Sequence, residues 1–166
     1  MDCRITSFAL AGAVVLLDRL TKIWIQTSVS LGDQIPVIQD FFDIIHTENR
    51  GMAFGLFSGS TSPWRPVLLV GVAFVVLLFV TGMIWKLPRE LSQGQRFTYV
   101  ALGLILGGAI GNLYDRAIVG SVTDFLDVYV GQYHWPAFNV ADSGITIGAI
   151  LLGIDLLWPK RTEKSS

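Results

Sequence analysis

The sequence predicts an α-helical integral membrane protein: four transmembrane helices with a small β-sheet on the outer membrane surface. Three observations carry that reading. Of 166 residues, 52% are apolar and 15% charged, against roughly 25% charged in average soluble proteins. Residues 5–25, 66–85, 97–114 and 138–158 approach or reach the ~20 apolar residues needed to cross a bilayer. Trp24, Trp64, Trp85, Trp135 and Trp158 fall near the ends of these stretches, where interfacial aromatic anchors belong. Mean hydropathy is +0.56, which excludes disorder and argues against a soluble domain. Residues 1–166 read as a single membrane domain.

The first stretch is interrupted late by Asp18, Arg19 and Lys22. Asp18 and Lys22 are spaced i, i+4, which predicts an intrahelical ion pair. A basic start and Ala9, Ala11 and Ala13 give this stretch some look of a cleavable signal. The apolar run continues to Ile25, however, so retention is expected. Cys3 lies too near the start to be a lipidated cysteine and reads as an incidental cytoplasmic thiol.

Residues 27–62 form an outer β-rich segment. Short β-prone runs at 29–31, 34–38, 41–46 and 52–57 are separated by turn signals at Gly32-Asp33, Asp40, 49–51 and 58–60. The second stretch, 66–85, is uncharged, as is the third, 97–114, which ends against Asp115 and Arg116. Gly103, Gly107 and Gly111 recur at four-residue steps with Gly108 beside them, and Gly144 and Gly148 repeat the step in the fourth stretch. Lipid supplies no hydrophobic drive between helices, so such strips predict close packing of the third and fourth spans. Residues 117–137 carry Val122, Phe125, Val128, Tyr129 and Trp135. They suit an interfacial segment whose secondary structure the pattern leaves open.

Orientation follows the positive-inside rule. Arg4, Lys86, Arg89, Arg96, Lys160, Arg161 and Lys164 flank one side; Arg50 and Arg65 are alone on the other, and residues 117–137 have no Lys or Arg. Both termini are therefore expected in the cytoplasm. A net charge of −1 gives no reason to expect a nucleic-acid partner. One cysteine and two histidines exclude an internal disulfide framework and a multi-thiolate zinc cluster. No metal or cofactor is expected. His46 and His134 read as surface or interfacial residues.

The polar residues within and beside the spans are harder to explain by packing. An ionised aspartate at a helix centre costs about 2.5–3.5 kcal/mol on insertion scales. Asp142 lies five residues into the fourth stretch, with Asn139 three before it and Thr146 continuing the same face. Asn112, Asp115 and Arg116 cluster at the outer end of the third, and Asp124 and Asp127 follow. Glu48, Asn49 and Arg50 are within reach of the same boundary. Asp115, beside Arg116, reads as a structural ion pair. Asp124 and Asp142 have no basic neighbour in sequence, which leaves them as a candidate pair. Facing carboxylates share a proton and suit acid–base hydrolysis. Carboxylates in helices also line ion paths, so a small proton or ion transporter stands as the alternative. Asp155, one turn from the basic tail, receives no role.

Five motifs then resemble a known family. They are residues 18–22 (DRLTK), 47–55 (TENRGMAFG), 107–116 (GGAIGNLYDR), 122–125 (VTDF) and 138–143 (FNVADS). In this order, on four spans, they resemble lipoprotein signal peptidase (signal peptidase II), the bacterial membrane aspartic protease family. The resemblance implies Asp124 and Asp142 as the catalytic dyad. It implies a substrate site lined by Asn49, Gly51, Asn112, Arg116 and Asn139. Asp18, Lys22 and Asp115 are read as structural support. The implied substrate is a diacylglyceryl-modified prolipoprotein, cut just before its lipidated cysteine. The implied setting is the bacterial inner membrane in contact with lipid, as a monomer with its active site near the outer face.

Overall fold

The computed structural model describes residues 2–51, 64–88 and 96–157. The strand expected at 52–57, the turn at 58–60, Arg89, Trp158 and the basic residues Lys160, Arg161 and Lys164 lie outside the described residues. The elements in chain order are α1 (Cys3–Ser28), β1 (Gln34–Ile38), β2 (Phe42–Asn49), α2 (Arg65–Lys86), α3 (Arg96–Ile118), β3 (Val122–Val130), β4 (Tyr133–His134) and α4 (Val140–Leu157).

Helix α1 opens on Asp2, whose side chain accepts the Arg4 N–H at 2.9 Å. This caps one of the free donors that every helix start exposes. Its buried face is the stripe Cys3, Ser7, Ala11, Val14, Asp18, Lys22 and Ile25, spaced at three and four residues as one helix face requires. Helix α3 packs against α1, α2 and α4. Leu102 and Leu106 of α3 form a core with Ala11 of α1 and Val80 and Ile84 of α2.

Among the described residues, three helices are long and apolar enough to cross a membrane: Val67–Lys86, Phe97–Ile118 and Val140–Leu157. Helix α1 has 26 residues, but Arg4, Asp18, Arg19 and Lys22 interrupt its apolar run. Length and composition alone therefore mark three spans rather than the expected four.

The glycines divide between two interfaces. A Cβ on Gly103 or Gly107 would lie 2.7 Å from the Ser7 or Ala11 carbonyl of α1. Gly108 abuts the Ala141 carbonyl of α4, and a Cβ on Gly148 would lie 2.6 Å from the Ala101 carbonyl of α3. The expectation that this whole strip joins the third and fourth spans is thus corrected. Gly103 and Gly107, at i, i+4, share one face and seat α1, while Gly108, one residue on and turned about 100°, faces α4.

The sheet is antiparallel in the order β1-β2-β3-β4. Residues 34–38 form a strand as expected, and β2 extends to Asn49. Residues 29–31 do not form one. Half of the described strands come from residues 117–137, whose secondary structure the pattern left open, so the sheet joins both segments expected on the outer side. Helix α3 ends four residues beyond the expected Tyr114, at Ile118. The Asp115 carbonyl accepts the Val119 and Gly120 N–H groups there, and Gly120 takes φ +85°, the left-handed exit that favours glycine. The chain then turns directly into β3. Ile25 and Val29 pack with Phe125, flanked by Ile44, Leu126 and Val140, and this cluster seats the sheet on the ends of α1 and α4.

Candidate active site

Asp124 is the third residue of β3 and pairs in register with Thr47 of β2. An irregularity between Ile44 and Thr47 resets the pairing. The Asn49 side chain then reaches Asp124, donating from Nδ2 to Oδ2 at 3.0 Å. Farther along β3, the Phe138 carbonyl accepts the Phe125 and Leu126 N–H groups at 3.0 and 2.9 Å, and the Phe138 N–H returns to the Leu126 carbonyl at 3.1 Å. This clamp fixes the residue immediately before Asn139. It places the entry of α4 against β3.

Asn139 directly precedes α4 and acts as its cap. Its Oδ1 accepts the Asp142 N–H at 2.9 Å, while Asp142 Oδ2 accepts the Asn139 N–H at 3.3 Å. This is the reciprocal capping-box arrangement, with aspartate in the fourth place. With Oδ1 committed to the cap, Asn139 Nδ2 points away and donates to Asp124 Oδ1 at 2.7 Å. One fully buried asparagine therefore bonds both carboxylates. Asn112 on α3 completes the set, donating from Nδ2 to Asp142 Oδ1 at 2.7 Å. The Asn139–Asp142 spacing already carried the capping signal. That bond pattern goes beyond the shared helix face that the same spacing implies.

Beneath the carboxylates lies a buried ionic network. Lys22 Nζ is 2.8 Å from Asp18 Oδ2 and 2.7 Å from Asp115 Oδ2, and Arg19 pairs with Asp115 Oδ1. The expected Asp18–Lys22 pair is present, with both side chains fully buried. Asp18 Oδ1 also accepts the Ala141 N–H at 3.0 Å, satisfying a free donor in the first turn of α4. Gly111 makes room for this carboxylate, since a Cβ there would lie 2.7 Å from Asp18 Oδ2.

The expected Asp115–Arg116 ion pair is corrected. Asp115 pairs with Lys22 and Arg19 of α1, because adjacent helix residues do not face each other. Arg116 instead donates to the Gly51 carbonyl at 3.2 Å and the Asn112 carbonyl at 3.4 Å, tying the end of β2 to α3. The field of Arg116 also meets those of Asp142 and Asp124.

Burial pushes the Asp124 carboxyl up from 3.8 to about 6, and the charge of Asp142 adds to the rise. The amide donors Asn49 and Asn139 work against it. Neighbouring carboxylates, one of them raised toward neutrality, form a pair able to hold one proton between them.

Other polar residues fall elsewhere. Glu48 accepts from Ser121 Oγ at 3.3 Å and lies 3.8 Å from Arg50. His46 is buried, against expectation, and its Nδ1 donates to the Val29 carbonyl at 2.7 Å. The exposed His134 ring meets Asp127 at 2.9 Å and stacks on Tyr129. Asp155 accepts from Thr98. A groove of about 530 Å³ beside β2, lined by residues that include Asp33, His46, Glu48 and Arg50, contains neither Asp124 nor Asp142. Among the described residues, no group of three or more His, Cys, Asp or Glu side chains is placed to hold a metal ion.

Comparison with known proteins places this geometry in context. A family model described as signal peptidase (SPase) II matches residues 10–158. The lipoprotein signal peptidase of Solibacter usitatus is 49% identical over 160 residues, covering 96% of this chain and 95% of that protein. That of Syntrophus aciditrophicus is 42% identical over 156 residues, 93% of each chain. A solved bacterial membrane enzyme, determined by the in meso method at 2.3 Å, superposes with a TM-score of 0.81 at 34% identity. The superposition covers 97% of this chain and 93% of that one.

Proposed function

The chain belongs to the signal peptidase II family, and from that premise we propose that Asp124 and Asp142 cleave the signal peptide from diacylglyceryl-modified prolipoproteins. The observation that carries this reading is the double engagement of Asn139, which bonds Asp124 from its side chain and Asp142 from its backbone. Packing alone gives no reason to hold two carboxylates against one buried amide.

In this reading the raised Asp124 carboxyl carries the proton that the dyad shares. A water between them attacks the scissile carbonyl carbon. Asp142 takes the water's proton while Asp124 donates to the carbonyl oxygen. Collapse of the diol breaks the C–N bond, and the proton held by Asp142 goes to the departing cysteine nitrogen. The diol returns a proton to Asp124, which restores the starting state. The products are the signal peptide's carboxyl terminus and the free amine of the lipidated cysteine. No covalent enzyme intermediate and no cofactor enters. Asn49, Gly51, Asn112, Arg116 and Asn139 line the approach; the asparagines also hold the dyad in place.

The proposed setting is the bacterial inner membrane, with α1 as the fourth span and residues 1–166 acting as one membrane domain and a monomer. The charges that interrupt α1 have partners: Lys22 and Arg19 meet Asp18 and Asp115 within the bundle. Paired charges facing a bundle interior are tolerated in a membrane. Both termini then face the cytoplasm, and the sheet and dyad lie at the outer face. The substrate's acyl chains stay in lipid while its scissile bond meets water. The test is incubation of the purified protein with a diacylglyceryl-modified precursor peptide beside its unlipidated counterpart. Cleavage before cysteine of the lipidated peptide alone is expected. Equal cleavage of both would contradict the substrate assignment.

A further inference from the structure

Resting on the dyad reading, we propose that Lys22 is a positioning residue for Asp142: its ammonium fixes which end of the Asn112 amide faces that carboxylate. The two ends of a side-chain amide differ in that one donates and the other accepts. Asn112 Nδ2 donates to Asp142, while Asn112 Oδ1 meets Lys22 Nζ and Asn139 Nδ2, each at 3.4 Å. An ammonium has three hydrogens and no acceptor. A flipped Asn112 would therefore set its NH2 against two donors and its oxygen against a carboxylate.

Asn139 holds this orientation weakly, because the same Nδ2 serves Asp124 at 2.7 Å and the Thr123 carbonyl at 3.4 Å. Lys22 has three hydrogens on its ammonium, one for each of the three acceptors it meets. Its contacts to Asp18 and Asp115 anchor it with its side chain fully buried, and among the described residues a further one goes to Asn112. An ion pair with Asp18 accounts for a lysine at this position. It does not account for the contact with Asn112, which links the ionic network to the dyad.

Lys22→Met alone leaves Asp18 without its partner in the interior and is expected to destabilise the fold. The informative chain is therefore the double variant Lys22→Met with Asp18→Asn, which removes one charge of each sign. The asparagine oxygen still accepts the Ala141 N–H. On a diacylglyceryl-modified precursor peptide, this variant is expected to keep the parent's KM and to fold with a lowered thermal midpoint, since Asp115 retains only Arg19. Its kcat is expected to fall roughly ten- to a hundredfold, the effect of a lost hydrogen bond to a charged group. Lys22→Gln with Asp18→Asn retains a donor toward Asn112 and is expected to recover part of that kcat. Full kcat in the methionine double variant, or no recovery with glutamine, overturns the positioning role. Asp142→Asn run alongside separates the two failures. If it is inactive while the methionine double variant has full kcat, only the Lys22 inference fails. If it is active, the dyad reading fails and the inference with it.

Discussion

Asn139 and Asp142 are bonded to each other twice, Asn139 Oδ1 accepting the Asp142 N–H at 2.9 Å and Asp142 Oδ2 accepting the Asn139 N–H at 3.3 Å. The box that starts α4 thereby aims Asn139 Nδ2 at Asp124. Helix capping and alignment of the carboxylates are the same set of bonds.

Substitution at Asn139 separates the two roles. Asn139→Ala removes the cap and is expected to lower stability by about 1 kcal/mol, with loss of turnover. Asn139→Ser keeps a capping oxygen for the Asp142 N–H but loses the amide donor to Asp124. It is expected to lose turnover while losing less stability than the alanine variant. Thermal midpoints and precursor cleavage, measured on both, check this.

The Asp124 carboxyl, raised to about 6, sets a pH dependence. The folded state binds this proton more tightly than the unfolded chain does. Its stabilising contribution is therefore fully present below about pH 4 and is lost as pH rises through about 6. The amount is on the order of 3 kcal/mol. Unfolding from pH 4 to 7.5 is expected to show the parent losing stability relative to Asp124→Asn as pH rises. Parallel curves would contradict the assignment. Turnover is expected to fall on the alkaline side as Asp124 loses its proton.

The ionic network has a separate consequence. Asp115→Asn weakens the anchor of both Lys22 and Arg19, and breaking a buried pair typically costs about 3 kcal/mol. A clearly lowered thermal midpoint in detergent is expected, with partial loss of activity. An unchanged midpoint would contradict the bracing role.

Gly108→Ala would press a methyl into the Ala141 carbonyl, whereas Gly82→Ala on α2 meets nothing within 4 Å. Overpacking of this kind costs about 1–3 kcal/mol. Gly108→Ala is expected to lower both stability and turnover, because Ala141 adjoins Asp142. Gly82→Ala is expected to leave both unchanged.

Much of this architecture is legible in the chain, and the exceptions have physical reasons. Helices α2, α3 and α4 stand out because long apolar runs are rare for any other reason. Strand β3 does not, because Asp124 and Asp127 break the apolar alternation that marks a strand. Its pairing with β2, some 75 residues earlier in sequence, leaves no local signal. The proposed dyad is legible as a candidate pair because Asp124 and Asp142 lack basic neighbours in sequence. The partners of Asp115 are not, since they come from α1, almost a hundred residues away. The asparagines enter the proposed site through the family resemblance of their motifs, whereas the Asn139 bond to Asp124 depends on the β3–α4 clamp at Phe138.

The most direct test of the central claim is turnover of a diacylglyceryl-modified precursor by Asp124→Asn and Asp142→Asn, each verified as folded by its thermal transition. The account predicts that both variants leave the precursor uncut under conditions where the parent processes it fully. Sustained cleavage by either folded variant would contradict it.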